Sequence, residues 1–247
     1  MRSPSRSRCL LAAVLAVLLV ACNQGEQTDA RSEVITRTDS RSRLQQQLTG
    51  TWVRRVRTND SLWEGLRLDS DGRFGLFGIH TLHGLQWLVR GDTLVLTTST
   101  QKYAQPQESR LWVRRADEDS LVLSAETGYL AGSFGRGTDL ARRITGTIKG
   151  LPTESTSDAA LYLELWAVTD SSGSKYLASQ SLPVTLLHNA VPFFVYYAAA
   201  LAQGCDEGYL VVSLAINGVP QSVLDSGSPV DLRADAEGLE LWLSRPD

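Results

Sequence analysis

Leu85-Gln86-Trp87-Leu88-Val89-Arg90-Gly91-Asp92-Thr93-Leu94-Val95-Leu96-Thr97 decides how the first half of this chain folds. Two apolar-rich runs flank a Gly-Asp step. Alternate residues of a strand point to opposite faces, so such runs around a turn predict an antiparallel hairpin. The same grammar repeats outward. Upstream, Leu62-Trp63-Glu64-Gly65-Leu66-Arg67-Leu68 runs through Asp69-Ser70-Asp71-Gly72 into Arg73-Phe74-Gly75-Leu76-Phe77, and its Asp-Gly step is a hairpin signal. Gly50-Thr51-Trp52-Val53 opens the series. Downstream, Arg110-Leu111-Trp112-Val113 meets Asp117-Glu118-Asp119 and then Ser120-Leu121-Val122-Leu123. Short strands at regular spacing with hairpin links predict an up-and-down β-barrel over residues 43–140.

The second half, residues 142–247, is also strand-like. Ile144-Thr145-Gly146-Thr147-Ile148 follows the basic pair Arg142-Arg143. Leu161-Tyr162-Leu163-Glu164-Leu165-Trp166-Ala167-Val168 alternates strongly, and Pro192-Phe193-Phe194-Val195-Tyr196-Tyr197 is a further candidate. Tyr209-Leu210-Val211-Val212-Ser213-Leu214-Ala215-Ile216 ends at Asn217-Gly218, and Leu239-Glu240-Leu241-Trp242-Leu243 comes last. These strands predict a sandwich of two sheets, giving an all-β chain of two domains packed loosely about residues 140–143.

The amino terminus is built differently. Arg2, Arg6 and Arg8 precede an apolar stretch from Leu10 to Val20, then the small Ala21 and Cys22. This is the order of an export signal. Leu19-Val20-Ala21-Cys22 resembles the bacterial lipobox. The resemblance implies a signal peptide over 1–21 cut between Ala21 and Cys22, with diacylglycerol on the Cys22 thiol and further acylation, of which palmitate is typical. Asn23, where an inner-membrane retention Asp would stand, resembles the outer-membrane pattern and implies a periplasm-facing lipid anchor. Residues 22–42 are polar with no aromatic side chain and read as a tether. About twenty flexible residues span roughly 25 Å. Of the three cysteines, Cys9 is lost with the signal and Cys22 carries lipid, which leaves Cys205 without a partner in its own chain. Removing Arg2, Arg6 and Arg8 from 24 Lys+Arg leaves a mature charge of about −6 against 27 Asp+Glu. A nucleic-acid partner is therefore not expected.

Gly65-x-x-Leu68-Asp69-x-Asp71-Gly72, with Gln86-Trp87 before Gly91-Asp92-x-Leu94-x-Leu96, resembles small bacterial lipocalin-like lipoprotein domains. Gly50-Thr51-Trp52 is similar to the Gly-x-Trp of lipocalins. The resemblance implies a small barrel with room for an apolar ligand; Trp52, Trp63, Phe74, Trp87 and Trp112 are the candidate pocket residues. Aromatics on alternating strands are usually core filling, and a barrel this small can be filled by side chains alone. In the second half, Gly146-Thr147-Ile148, Leu161-x-Leu163-x-Leu165, Val168-Thr169-Asp170, Pro192-Phe193 and the final Leu239-x-Leu241-x-Leu243 occur in an order that resembles the YbaY-type domain. That family is related to the lipoprotein chaperones of type III secretion. It implies an immunoglobulin-like β-sandwich that guides an envelope protein.

Catalytic patterns are sparse. Asp225-Ser226-Gly227 resembles the active-site string of aspartic proteases, which makes a periplasmic hydrolase the alternative function. Such an enzyme needs two carboxylates sharing a proton, and the chain has one copy of the string. His80 and His83 lack the further ligands a metal needs. Asp69-Ser70-Asp71-Gly72 lacks the downstream Glu of a calcium loop. Gly132-Ser133-Phe134-Gly135-Arg136-Gly137 has no Lys-Ser/Thr for a phosphate loop and reads as a flexible segment. The expectation is a non-catalytic binding or assembly module with no cofactor, holding an apolar small molecule or chaperoning an envelope protein.

Overall fold

Eight antiparallel strands form the first sheet: β1 (Gly50–Val56), β2 (Asn59–Leu68), β3 (Phe74–Phe77), β4 (His83–Arg90), β5 (Thr93–Ser99), β6 (Gln107–Ala116), β7 (Ser120–Ser124) and β8 (Gly132–Arg136). The computed structural model describes residues 43–56, 59–79, 81–100, 105–126, 128–151, 159–169, 173–184, 190–217, 219–225 and 229–243. The signal, Cys22 and the tether lie outside them. The chain divides into two units, Met1–Leu44 and Gln45–Asp247, and every sheet belongs to the second.

The strand order is β3-β2-β1-β8-β7-β6-β5-β4. Only the seam between β3 and β4 interrupts the ring. There a single bridge, Arg73 to Gln86, and the Trp87 N–H donated to the Gly72 carbonyl at 2.8 Å bring the edges together. The result is a nearly closed barrel, the predicted architecture. The glycine-rich 132–137 stretch is not a loose segment: β8 lies between β1 and β7 and completes the wall. Its three small glycines carry no apolar alternation, and of its residues only Phe134 and Gly137 are buried.

Residues 141–242 make two further sheets from β9 (Ala141–Lys149), β10 (Ala159–Val168), β11 (Ser174–Val184), β12 (Ala190–Ala198), β13 (Glu207–Ile216), β14 (Val219–Asp225), β15 (Val230–Asp231) and β16 (Ala236–Trp242). One sheet runs β11-β10-β13-β14, with β15 beside β13; the other runs β12-β9-β16, with β16 parallel to β9. Period-two alternation builds the core between them. Leu161, Leu163 and Leu165 stand opposite Leu214, Val212 and Leu210. That layer packs with Ile144, Ile148, Phe193, Val195 and Tyr197 of the facing sheet in one buried cluster. Each such side chain contributes about 1.5–3 kcal/mol by leaving water.

The junction is tight, contrary to the expected loose hinge at 140–143. Ala199 N–H donates to the Leu140 carbonyl at 3.0 Å, and Arg67 reaches the Ala141 carbonyl at 3.2 Å. The sandwich lies against the barrel seam. Edge strand β11 presents the Ser179 and Ser181 carbonyls, which pair with His83 Nδ1 at 3.1 Å and Ser99 Oγ at 2.8 Å, while Gln180 Nε2 donates to the Gly84 carbonyl at 2.9 Å. On β12, the Tyr196 ring covers Gly75 so closely that a Cβ there would stand 1.9 Å from it. Glycine at 75 permits this contact. The barrel thus covers one pair of sandwich edges, β11 and β12, and satisfies backbone groups that would otherwise invite another strand.

Candidate functional site

Three places could carry function: the barrel interior, the junction network and the clefts around it. Register sorts the interior. Trp52, Leu66 and Leu76 stand side by side on β1, β2 and β3, as do Leu68 and Phe74, Trp87 and Leu96, and Leu121 and Phe134. All are buried. Trp52 is fully enclosed, donates its indole N–H to the Leu48 carbonyl at 2.7 Å and lies under Arg136, whose guanidinium is 4.0 Å from the ring centroid. Leu48, Trp52 and Arg136 plug one end.

At the other end Arg54 and Glu64 share the inner face, and Glu64 is 2% exposed. Arg54 Nε donates to Glu64 at 2.6 Å, while its two other nitrogens donate to the Ala131 and Tyr129 carbonyls at 2.8 and 2.7 Å. The Tyr129 hydroxyl also donates to Glu64. The described interior is therefore occupied by side chains at its base and by a paired polar cluster at its top.

Of the five aromatics read as pocket residues, Trp52, Phe74 and Trp87 face inward. Trp63 and Trp112 do not, and this corrects their grouping. Trp63 pairs in register with Arg55, which stacks on it at 3.7 Å, and it packs outside the barrel near Val53, Phe77 and Ala198. Trp112 is in register with Thr93 and Ser124 on the outer face. Register is unbroken from Trp63 to Leu68 and through Leu111–Trp112, so each ring lies on the face opposite its buried neighbours Leu66 and Leu111.

Sequence reasoning missed the junction network. Asp69 is a turn residue, as expected, but it is also the hub. Its carboxylate accepts from Arg67 Nε at 3.0 Å, from the Tyr196 hydroxyl at 2.6 Å and from Arg143. Its carbonyl accepts the Trp87 indole N–H at 2.8 Å. Arg67 also grips Asp235 with two nitrogens at 3.1 and 2.7 Å, and the Arg143 backbone N–H donates to Asp235 at 2.9 Å. Burial works to push the Asp235 carboxyl up, but the Arg67 and Arg143 hydrogen bonds hold it below the usual carboxylate range. Burial, and then the Asp69 charge, raise the Tyr196 phenol above its ordinary value, so it stays a donor. The only sequence signals were a basic pair at 142–143 and adjacent tyrosines at 196–197.

Two openings flank this network. A polar cleft of about 1270 Å³ lies beside Asp69, with Thr49–Thr51, Arg136 and Arg143 in its walls. A groove of about 520 Å³ is walled by Leu85, Leu182, Pro183, Pro192 and Phe194. Other candidates are not assembled. His83 is buried against Ser179, and burial lowers its pKa against the opposing pull of that carbonyl. Among the described residues no group of three or more His, Cys, Asp or Glu could hold a metal. Asp225, in β14, pairs through its backbone with Val211 of β13, while its side chain and Ser226, Gly227 and Ser228 lie outside the described residues, as do Ala21, Cys22, His80 and His188.

Residues 44–133 match the lipocalin-like family model. The barrel is thus lipocalin-like, and that fold is in general a binding fold. A solved lipocalin-like protein from Bacteroides thetaiotaomicron is 22% identical, matching 37% of this chain and 97% of its own with a TM-score of 0.32. An alternative pilotin from the type II secretion system of Vibrio cholerae is 12% identical, matching 43% of this chain and 99% of its own with a TM-score of 0.35. A search among curated proteins returned no match.

Proposed function

We propose that this chain is a lipid-anchored envelope lipoprotein that binds and helps to assemble a partner protein. In this reading Cys22 is the anchor at the outer membrane, residues 22–42 the tether, 43–140 a barrel domain and 142–247 a YbaY-type sandwich domain. The observation that carries the reading is the asymmetry of the sandwich edges. β11 and β12 are covered by the barrel. The outermost strands on the other side, β14 and β16, have no neighbour beyond them among the described residues. Val219 and Trp242 are 57% and 59% exposed there. An open edge with exposed apolar residues is suited to receive an extended segment of a partner, main chain to main chain. The alternative, an apolar ligand in the barrel, fits the lipocalin-like fold less well here, because buried side chains occupy the inner face.

Two measurements test this. Photo-crosslinkers placed at Val219 and Trp242 in living cells should each trap the same dominant envelope protein, and one at Tyr129, on the barrel rim, should not. Equal or absent crosslinking at all three positions would remove the edge from consideration. Cells fed labelled palmitate should label the wild-type chain and leave Cys22→Ser unlabelled and free of the membrane; an unlabelled wild type would refute the anchor while leaving the edge to be judged by the crosslinks.

A further inference from the structure

The polar cleft of about 1270 Å³ opens where the plugged end of the barrel meets the segment between β15 and β16. Its walls carry unspent charge of opposite sign. On the barrel side Glu118, Asp119 and Asp139 are exposed, and their carboxylates accept no hydrogen bond among the described residues. On the sandwich side stand Arg142, Arg143 and Arg233. Arg233 uses Nε and Nη2 on Asp231, which leaves its third nitrogen available. Arg142 spends Nη1 on the Leu232 carbonyl. Arg143 directs its two terminal nitrogens to Asp69 and Glu237, and its Nε is buried with no partner.

We infer that this cleft binds a zwitterion that carries a phosphate and a primary ammonium on a short chain, the phosphoethanolamine group. A simple cation would leave the spare guanidinium donors unanswered, and a simple anion would face three free carboxylates. A primary ammonium has three N–H donors for the acidic wall, whereas a quaternary ammonium has none. Guanidinium groups match phosphate oxygens in geometry and charge. The walls are held before any ligand arrives, because Arg67 clamps Asp235 and Asp69 clamps Arg143 across the junction. Such preorganisation spares ordering costs on binding. The volume leaves room for whatever bears the group.

Calorimetric titration of the full chain with O-phosphoethanolamine tests the inference, with inorganic phosphate and ethanolamine as controls. The zwitterion should bind at least about tenfold more tightly than either control. Asp119→Asn and Arg233→Gln, both at exposed positions, should each weaken it by about tenfold with an unchanged circular dichroism spectrum. Dihexanoyl phosphatidylethanolamine distinguishes the source: binding tighter than the free headgroup assigns a lipid, and binding no tighter assigns a soluble compound. No heat with the zwitterion, equal affinity for phosphate or for dihexanoyl phosphatidylcholine, or full affinity in both variants would overturn the assignment.

Discussion

Asp69→Ala is expected to lower the unfolding free energy by about 3–5 kcal/mol, the range for removing one partner from a largely buried ion pair. Asp69 and Arg143 side chains are 12% and 14% exposed. Alanine at 69 would strand the Arg143 guanidinium, the Tyr196 hydroxyl and Arg67 Nε at once, because all three donate to the same carboxylate. Arg143 would retain Glu237 and Arg67 would retain Asp235, so the loss belongs at the lower end of that range. Asp69→Asn keeps one carbonyl acceptor and the turn geometry, and should cost about half as much. Urea unfolding followed by tryptophan fluorescence checks both variants. The wild type should unfold in one transition, since the network joins barrel strands to sandwich strands. A change below about 1 kcal/mol for the alanine variant would mean that the junction ions are solvated in solution and worth no more than a surface pair.

How much of this was legible depends on where each strand faces. The 85–97 hairpin formed as read, with Trp87 opposite Leu96 and Val89 opposite Leu94, because the inward-facing residues of both strands are apolar and buried. β10 and β13 were equally plain for the same reason. β11 was not recognised, and its chemistry explains why. Gln180 and Ser181 are polar yet buried, since their strand is an edge pressed against the barrel: Gln180 Nε2 donates to the Gly84 carbonyl and the Ser181 carbonyl accepts from Ser99, while Ser181 Oγ has no partner among the described residues. Alternation of polarity reports burial against an apolar neighbour, and it is silent where a polar strand is buried against polar atoms. β8 was hidden by its glycines. Asp69 was read correctly as a turn former, but nothing local marks a turn carboxylate that will meet Arg143 and Tyr196 from distant strands. The facing of Trp63 and Trp112 is legible from parity within their own strands, opposite Leu66 and Leu111, and grouping the aromatics by residue type alone misses it.

Trp52 and Trp112 offer the sharpest test of that facing. Trp52→Ala should cost about 3–5 kcal/mol, the usual penalty for emptying a large aromatic site in a core. Trp52 is fully enclosed, its indole N–H is committed to the Leu48 carbonyl, and Arg136 stacks on its face while donating to the Thr49 carbonyl at 2.7 Å. Removing the ring would open the plugged end, leave the Leu48 carbonyl without that donor and deprive Arg136 of its platform. Trp52→Phe should recover most of the packing and lose the hydrogen bond, a deficit of about 1–2 kcal/mol. Trp112→Ala should cost less than about 1 kcal/mol, because the ring is only part-buried on the outer face, where its partner Arg114 also donates to Ser124 at 2.7 Å. Thermal or urea unfolding of the three variants measures the contrast. Comparable losses at 52 and 112 would place both rings in one environment, and the registers that put them on opposite faces of the barrel wall would then be wrong.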